Sequence, residues 1–153
     1  MNEPFYDFTV LDQAHRFDFL SIGRTEIHKA IFYFTTELPD FYNLVLAEID
    51  TDGELDIYTV SDNGDMKFVL STVYKTMAHF LDLKPEAVIS FTGSTPARTR
   101  LYRIALSINL SDLHQNFDVY GVLEKESRPE LFCKNKNYRG FFICRKNQKF
   151  TWH

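Results

Sequence analysis

Thirteen consecutive residues, Phe91-Thr92-Gly93-Ser94-Thr95-Pro96-Ala97-Arg98-Thr99-Arg100-Leu101-Tyr102-Arg103, bring together the groups best suited to hold an anion. An apolar stretch ends, Gly93 permits a tight turn or a close backbone approach, and Thr95-Pro96 opens a helix. Threonine is a good N-cap and proline suits the first helical position. The first N–H groups of a helix lack internal partners, and its dipole favours negative charge there. Ser94 and Thr95 add hydroxyls. Arg98 and Arg100 add guanidinium forks that fit phosphate or carboxylate. Arg100 and Arg103 share one side at i, i+3, while Arg98 and Tyr102 share another at i, i+4. Gly93, Ser94, Thr95, Arg98, Arg100, Tyr102 and Arg103 are therefore the candidate phosphate-binding residues. A second reading fits equally well: a capped helix whose arginines pair with acids elsewhere in the chain. The Walker spacing G-x-x-x-x-G-K-[ST] does not occur, which argues against triphosphate hydrolysis by that route.

The C-terminal third mixes rings with positive charge. Lys134, Lys136, Tyr138, Arg139, Arg145 and Lys146 lie among Phe132, Phe141, Phe142, Phe150 and Trp152. Binders of single-stranded nucleic acid combine a basic groove with aromatic platforms, so those first six residues are candidate nucleic-acid contacts. The competing reading buries the rings as core and leaves the lysines solvated on an edge strand. Charge is uneven along the chain: residues 1–60 carry twelve acids and three bases, and residues 97–153 carry five acids and eleven bases, within a net charge of −4. The basic part suits an anionic partner, and the acidic part would repel a nucleic-acid backbone unless turned away from it.

Other constellations fall short. Glu48-x-Asp50-x-Asp52-Gly53 resembles the opening of a calcium loop, but Thr59 stands where the bidentate acid belongs. The five histidines and two cysteines show no zinc spacing. Asp40, Glu48 and Asp50 lack the lysine of an acidic-cluster nuclease, and Ser94 lacks the G-x-S-x-G elbow. No metal, cofactor or catalytic residue is expected.

The elements that must position these groups follow from periodicity. Strands are expected over Phe5–Val10, Arg24–Leu38, Tyr42–Asp50, Leu55–Ser61, Ala87–Thr92, Asp118–Leu123 and Tyr138–Cys144, with a tight hairpin at Asp52-Gly53, and Phe17–Ile22 reads as either a short strand or an irregular lead-in. Asn63 or Asp65 is placed to cap a helix whose inner stripe is Met66, Val69, Leu70, Val73, Met77, Phe80 and Leu81. A second helix runs from Thr95 to about His114, with Leu101, Ile104, Ala105 and Ile108 inward and Tyr102 as a further candidate for that face. Gly121 suggests a bulge or a close approach. The expected class is α+β: a mostly antiparallel curved sheet of five or more strands, with two helices packed on one face.

At 153 residues, 44% hydrophobic and 25% charged, the chain has the composition of one globular domain. The expected core is residues 5–146, followed by a basic tail over 147–153. No apolar run reaches the length of a spanning helix, the acidic start does not read as a secretory signal, and two cysteines suit a reducing cytoplasm. Asn63-Gly64-Asp65, Val69 to Val73, Gly93 to Arg103, Phe117 to Gly121, Asn137-Tyr138 and Phe141-Phe142 together resemble a family of short bacterial proteins, mostly from Bacteroidota. That family is catalogued only as a domain of unknown function. The resemblance implies a single-domain cytoplasmic protein and carries no activity. The expected function is a small binding module for nucleic acid or another phosphate-bearing ligand. A protein–protein module of the toxin–antitoxin or phage-related kind and a phosphoester or nucleotide enzyme are the alternatives.

Overall fold

A computed structural model describes residues 4–57, 63–93 and 95–146. The fold is α+β. Among the described residues, nine strands and three α-helices form a mostly antiparallel open sheet with its helices. The strands are β1 (Phe8–Leu11), β2 (Arg16–Ile22), β3 (Glu26–Thr35), β4 (Phe41–Ile49), β5 (Leu55–Asp56), β6 (Val88–Phe91), β7 (Phe117–Leu123), β8 (Glu130–Leu131) and β9 (Tyr138–Arg145). The helices are α1 (Met66–Leu83), α2 (Pro96–Ile108) and α3 (Leu110–Leu113). The chain divides into two compact units, Met1–Phe34 with Leu44–Leu83, and Thr35–Asn43 with Lys84–His153.

In the first unit β1, β2 and β3 pair antiparallel in sequence order, the sheet continues to β4, and β5 adds to the far end of β4. The strand expected over Leu55–Ser61 is described only as Leu55–Asp56, and residues 58–62 lie outside the described residues. The hairpin at Asp52-Gly53 is present: Gly53 takes φ +82°, and Asp50 Oδ1 accepts from the amides of Asp52 and Glu54. β2 alternates as a half-buried strand must, with Phe17, Phe19 and Ser21 inward. α1 lies against this face. Tyr33 stacks on Phe80 at 4.3 Å between ring centroids, and its hydroxyl bonds to Thr76 Oγ1 at 2.9 Å. Val69, Val73, Met77, Phe80 and Leu81 of the expected stripe are buried, whereas Met66 is exposed.

Asn63 and Asp65 bracket the start of α1, but their described side-chain bonds run across the unit and not to the helix amides. Asn63 Oδ1 accepts from Thr25 N, and Asn63 Nδ2 donates to Thr25 O and Ser21 Oγ. Asp65 accepts from Ser21 and from the Tyr6 hydroxyl. The motif thus ties the β2–β3 turn to the helix. Asn63 and Ser21 are buried, and burial demands that such polar groups be paired.

In the second unit the first three residues of β4 run parallel to β6, β6 is antiparallel to β9, and β9 is antiparallel to β7, which carries the short β8. Phe91, Tyr102, Phe132, Tyr138 and Phe141 are buried together, with Phe91 edge-on to Tyr102 at 5.5 Å. The single helix expected over 95–114 is broken at Asn109. Its side chain donates to Ala105 O at 2.8 Å, competing for a carbonyl of the helix, and α3 starts after it.

The inner face of α2 also differs from expectation, except at Tyr102. Its buried residues are Arg98, Tyr102 and Leu106, spaced by four, while Ile104 is 42% and Ile108 75% exposed. The ring of Tyr102 packs edge-on against Phe91 on this buried side.

Candidate functional site

A cleft of about 510 Å³ opens in the second unit, where β6 hands over to α2 beside the start of β9. Thr92, Gly93, Thr95, Pro96, Thr99, Arg100 and Arg103 form one wall. Glu124, Asn137, Tyr138 and Arg139 form the other.

The first wall is built by local bonds. Thr95 caps α2 by accepting from Arg98 N at 3.2 Å, and Thr99 N returns to Thr95 O. Pro96 has no N–H, so among the described first-turn amides these bonds leave that of Ala97. The site is therefore one of side chains more than of helix amides. Thr99 Oγ1 accepts from Gly93 N at 3.0 Å and fastens the turn to the helix. Gly93 is needed for this closeness. A Cβ there would lie 2.2 Å from Thr99 N and 2.5 Å from Arg98 C, both backbone atoms. Ser94 lies outside the described residues.

The second wall depends on an irregularity in the β7–β9 ladder. Val122 pairs with Gly140 and Leu123 with Tyr138, which leaves Arg139 as an extra residue on β9. Such a bulge re-aims a side chain, and Arg139 lines the cleft as a result. Its Nη2 donates to the carbonyl of Glu126 at 3.2 Å. Beneath it the Tyr138 ring lies on Gly121, where a Cβ would come within 2.4 Å of the ring. The close approach expected at Gly121 is this one. The Tyr138 hydroxyl donates to Glu130 Oε2 and accepts from Cys133 N, each at 2.9 Å. Burial, joined by the neighbouring Glu130, pushes this phenol up to about 12, so it is a neutral wall.

Arg100, Arg103 and Arg139 reach the cleft from two elements. Arg103 Nη1 donates to Asn137 Oδ1 at 2.6 Å, which steadies the guanidinium without neutralising it. Among the described residues no ion pair engages any of these three arginines. Arg98 and Tyr102 do not join them. Both are buried on the stripe of α2 that faces inward, and burial raises the Tyr102 hydroxyl above its ordinary range while nearby Arg98 lowers it.

The six candidate nucleic-acid contacts do not form one surface. Tyr138 is core and Arg139 belongs to the cleft. Lys134 is exposed, and Lys136 pairs with Glu130 at 2.8 Å. Arg145 and Lys146 stand at the other end of β9, about 20 Å away at roughly 3.3 Å per residue. Lys146 Nζ there donates to His114 O at 2.7 Å. Phe132 and Phe141, read as possible stacking platforms, are 5% and 1% exposed.

Asn137, Glu124 and Thr99 were not singled out by sequence reasoning. Asn137 stands in a stretch shared with the resembled family, and nothing in the spacing of Glu124 or Asn137 relates them to Arg100.

Residues 2–146 match a family of unknown function, DUF6934. The chain belongs to this family. No curated protein and no solved structure matches it. Membership in DUF6934 assigns no ligand. Among the described residues, no three His, Cys, Asp or Glu side chains cluster as metal ligands, and no helix is long and apolar enough to cross a membrane.

Proposed function

We propose that this protein is a small binding module whose cleft holds a phosphate-bearing ligand through Arg100, Arg103 and Arg139. The observation that carries the reading is the convergence of three guanidinium groups, from a helix and a bulged strand, on one cleft without a carboxylate pairing any of them among the described residues. Guanidinium groups held around a concavity by neutral partners, without a carboxylate to cancel their charge, are the arrangement an anionic ligand completes. A small ligand is favoured over single-stranded nucleic acid because Phe132, Tyr138 and Phe141 are core and offer no faces for stacking. The free thiols Cys133 and Cys144 fit a cytoplasmic setting.

The test is calorimetric titration of the full chain with pyrophosphate and phosphorylated small molecules. Arg100→Ala is expected to weaken binding by about 1.5–3 kcal/mol, the scale of a charge-assisted hydrogen bond. Its melting should shift by no more than about 0.5 kcal/mol in stability, as for an exposed residue. A large loss of stability with unchanged binding would make the arginine scaffold and end this reading.

A second reading, a protein–protein module, is favoured by the exposed Ile104 and Ile108 on α2. Concentration-dependent light scattering that is abolished by Ile108→Glu would support it.

A further inference from the structure

Charge in the cleft narrows the class of anion. Among the described lining residues three side chains are positive (Arg100, Arg103, Arg139) and one is negative (Glu124), which leaves two formal positive charges. Arginine stays charged at any working pH, and no histidine is among the described residues that line the cleft. The described partners of Arg103 and Arg139 are an amide oxygen and a carbonyl, which orient these groups without cancelling them. A phosphomonoester carries about −1.5 to −2 near pH 7, has a second pKa near 6, and presents three terminal oxygens. An internal phosphodiester carries a single charge and presents two. Three planar forks therefore match the monoester in both charge and oxygen count. A volume of about 510 Å³ is also far larger than a bare phosphate needs and lies in the range of small-ligand pockets. Pro96, Asn137 and Thr92 line the space left over.

Resting on the anion-cleft reading above, we infer that the cleft takes the terminal phosphate of a small phosphomonoester with a sugar- or nucleoside-sized body. It discriminates against phosphodiesters by charge and against free phosphate by size.

Three probes decide this when titrated into the full chain: phenyl phosphate, its methyl diester and inorganic phosphate. At about pH 7.5, phenyl phosphate is expected to bind about tenfold more tightly than the methyl diester, and the gap should close at about pH 5, where the monoester carries one charge. The diester keeps its charge throughout, so its own pH dependence reports changes in the protein and serves as the baseline for the monoester. Inorganic phosphate should bind more weakly than phenyl phosphate at both pH values. Equal binding of monoester and diester, with both lost in Arg100→Ala, would overturn the monoester inference and leave the anion cleft standing. No binding of any probe, with Arg100→Ala indistinguishable from the parent, would overturn both.

Discussion

In the first unit, Arg16 places Nε 2.6 Å and Nη2 2.9 Å from the two oxygens of Asp18, and its guanidinium lies over the Phe32 ring. His28 Nε2 reaches the same carboxylate at 2.9 Å. In the second unit, Arg100, Arg103 and Arg139 line a concavity with no carboxylate pairing them among the described residues. The same contrast separates the two sequence motifs. Asn63-Gly64-Asp65 directs its polar atoms inward, to Thr25, Ser21 and Tyr6. The Gly93–Arg103 turn uses Thr95 and Thr99 to fasten itself and presents Arg100 and Arg103 outward. A polar motif whose groups satisfy one another stabilises a fold. A polar motif whose charges stay unneutralised is available to a ligand.

The largest expected effect breaks the closed network. Asn63→Ala removes the partner of Thr25 N and Thr25 O and a donor to Ser21, all around a buried position. Leaving buried polar groups unsatisfied should cost about 3 kcal/mol of stability, read by urea unfolding. Binding of phosphate probes in the second unit should not change. A loss of binding by the folded variant would mean that the two motifs are not separate in role.

Gly93→Ala sharpens the other side of the comparison. Its Cβ would meet the backbone of Thr99, so the start of α2 has to move. A stability loss of about 2 kcal/mol is expected from this overpacking, together with weakened anion binding, because Arg100 and Arg103 move with the helix. Thermal melting and titration of one sample read both. Unchanged binding would show that the turn is dispensable to the cleft.

The smallest effect concerns the closed arginine. Burial raises the Asp18 carboxyl, but the hydrogen bonds from Arg16 and His28 outweigh it and hold the group below its ordinary range. A depressed carboxyl contributes stability above its unfolded value and loses that contribution as pH falls through the folded one. The pair is partly solvated, so the contribution is expected below about 1 kcal/mol. Acid titration of stability should show a shallower acid limb in Asp18→Asn. An acid limb identical in the two proteins would count against the pair as a source of stability.

Much of the fold was legible locally. The α1 stripe from Val69 to Leu81, the Asp52-Gly53 hairpin and the Thr95-Pro96 helix start each depend on residues within a few positions of one another. Such short-range constraints of period, turn dihedral and cap are fully expressed in the chain itself. The expectation of a single helix to about His114 missed Asn109, whose side chain can cap or break a helix depending on the carbonyl it finds.

The sequence by itself determined that Arg98 and Tyr102 share one side of α2, and that Arg100 and Arg103 share another, because the helical period places them so. Which side turned inward was decided only in the tertiary structure, where the stripe of Arg98, Tyr102 and Leu106 is buried and Tyr102 packs edge-on against Phe91. That rotation buried Arg98 and left Arg100 and Arg103 at the cleft. Likewise, basic charge near residue 139 was plain, but its direction was not. A bulge exists only relative to a paired strand, so the register of β7 against β9 was needed to send Arg139 toward the arginines of α2. The chain specifies spacing within an element, and the contacts between elements choose which of those spaced groups meet.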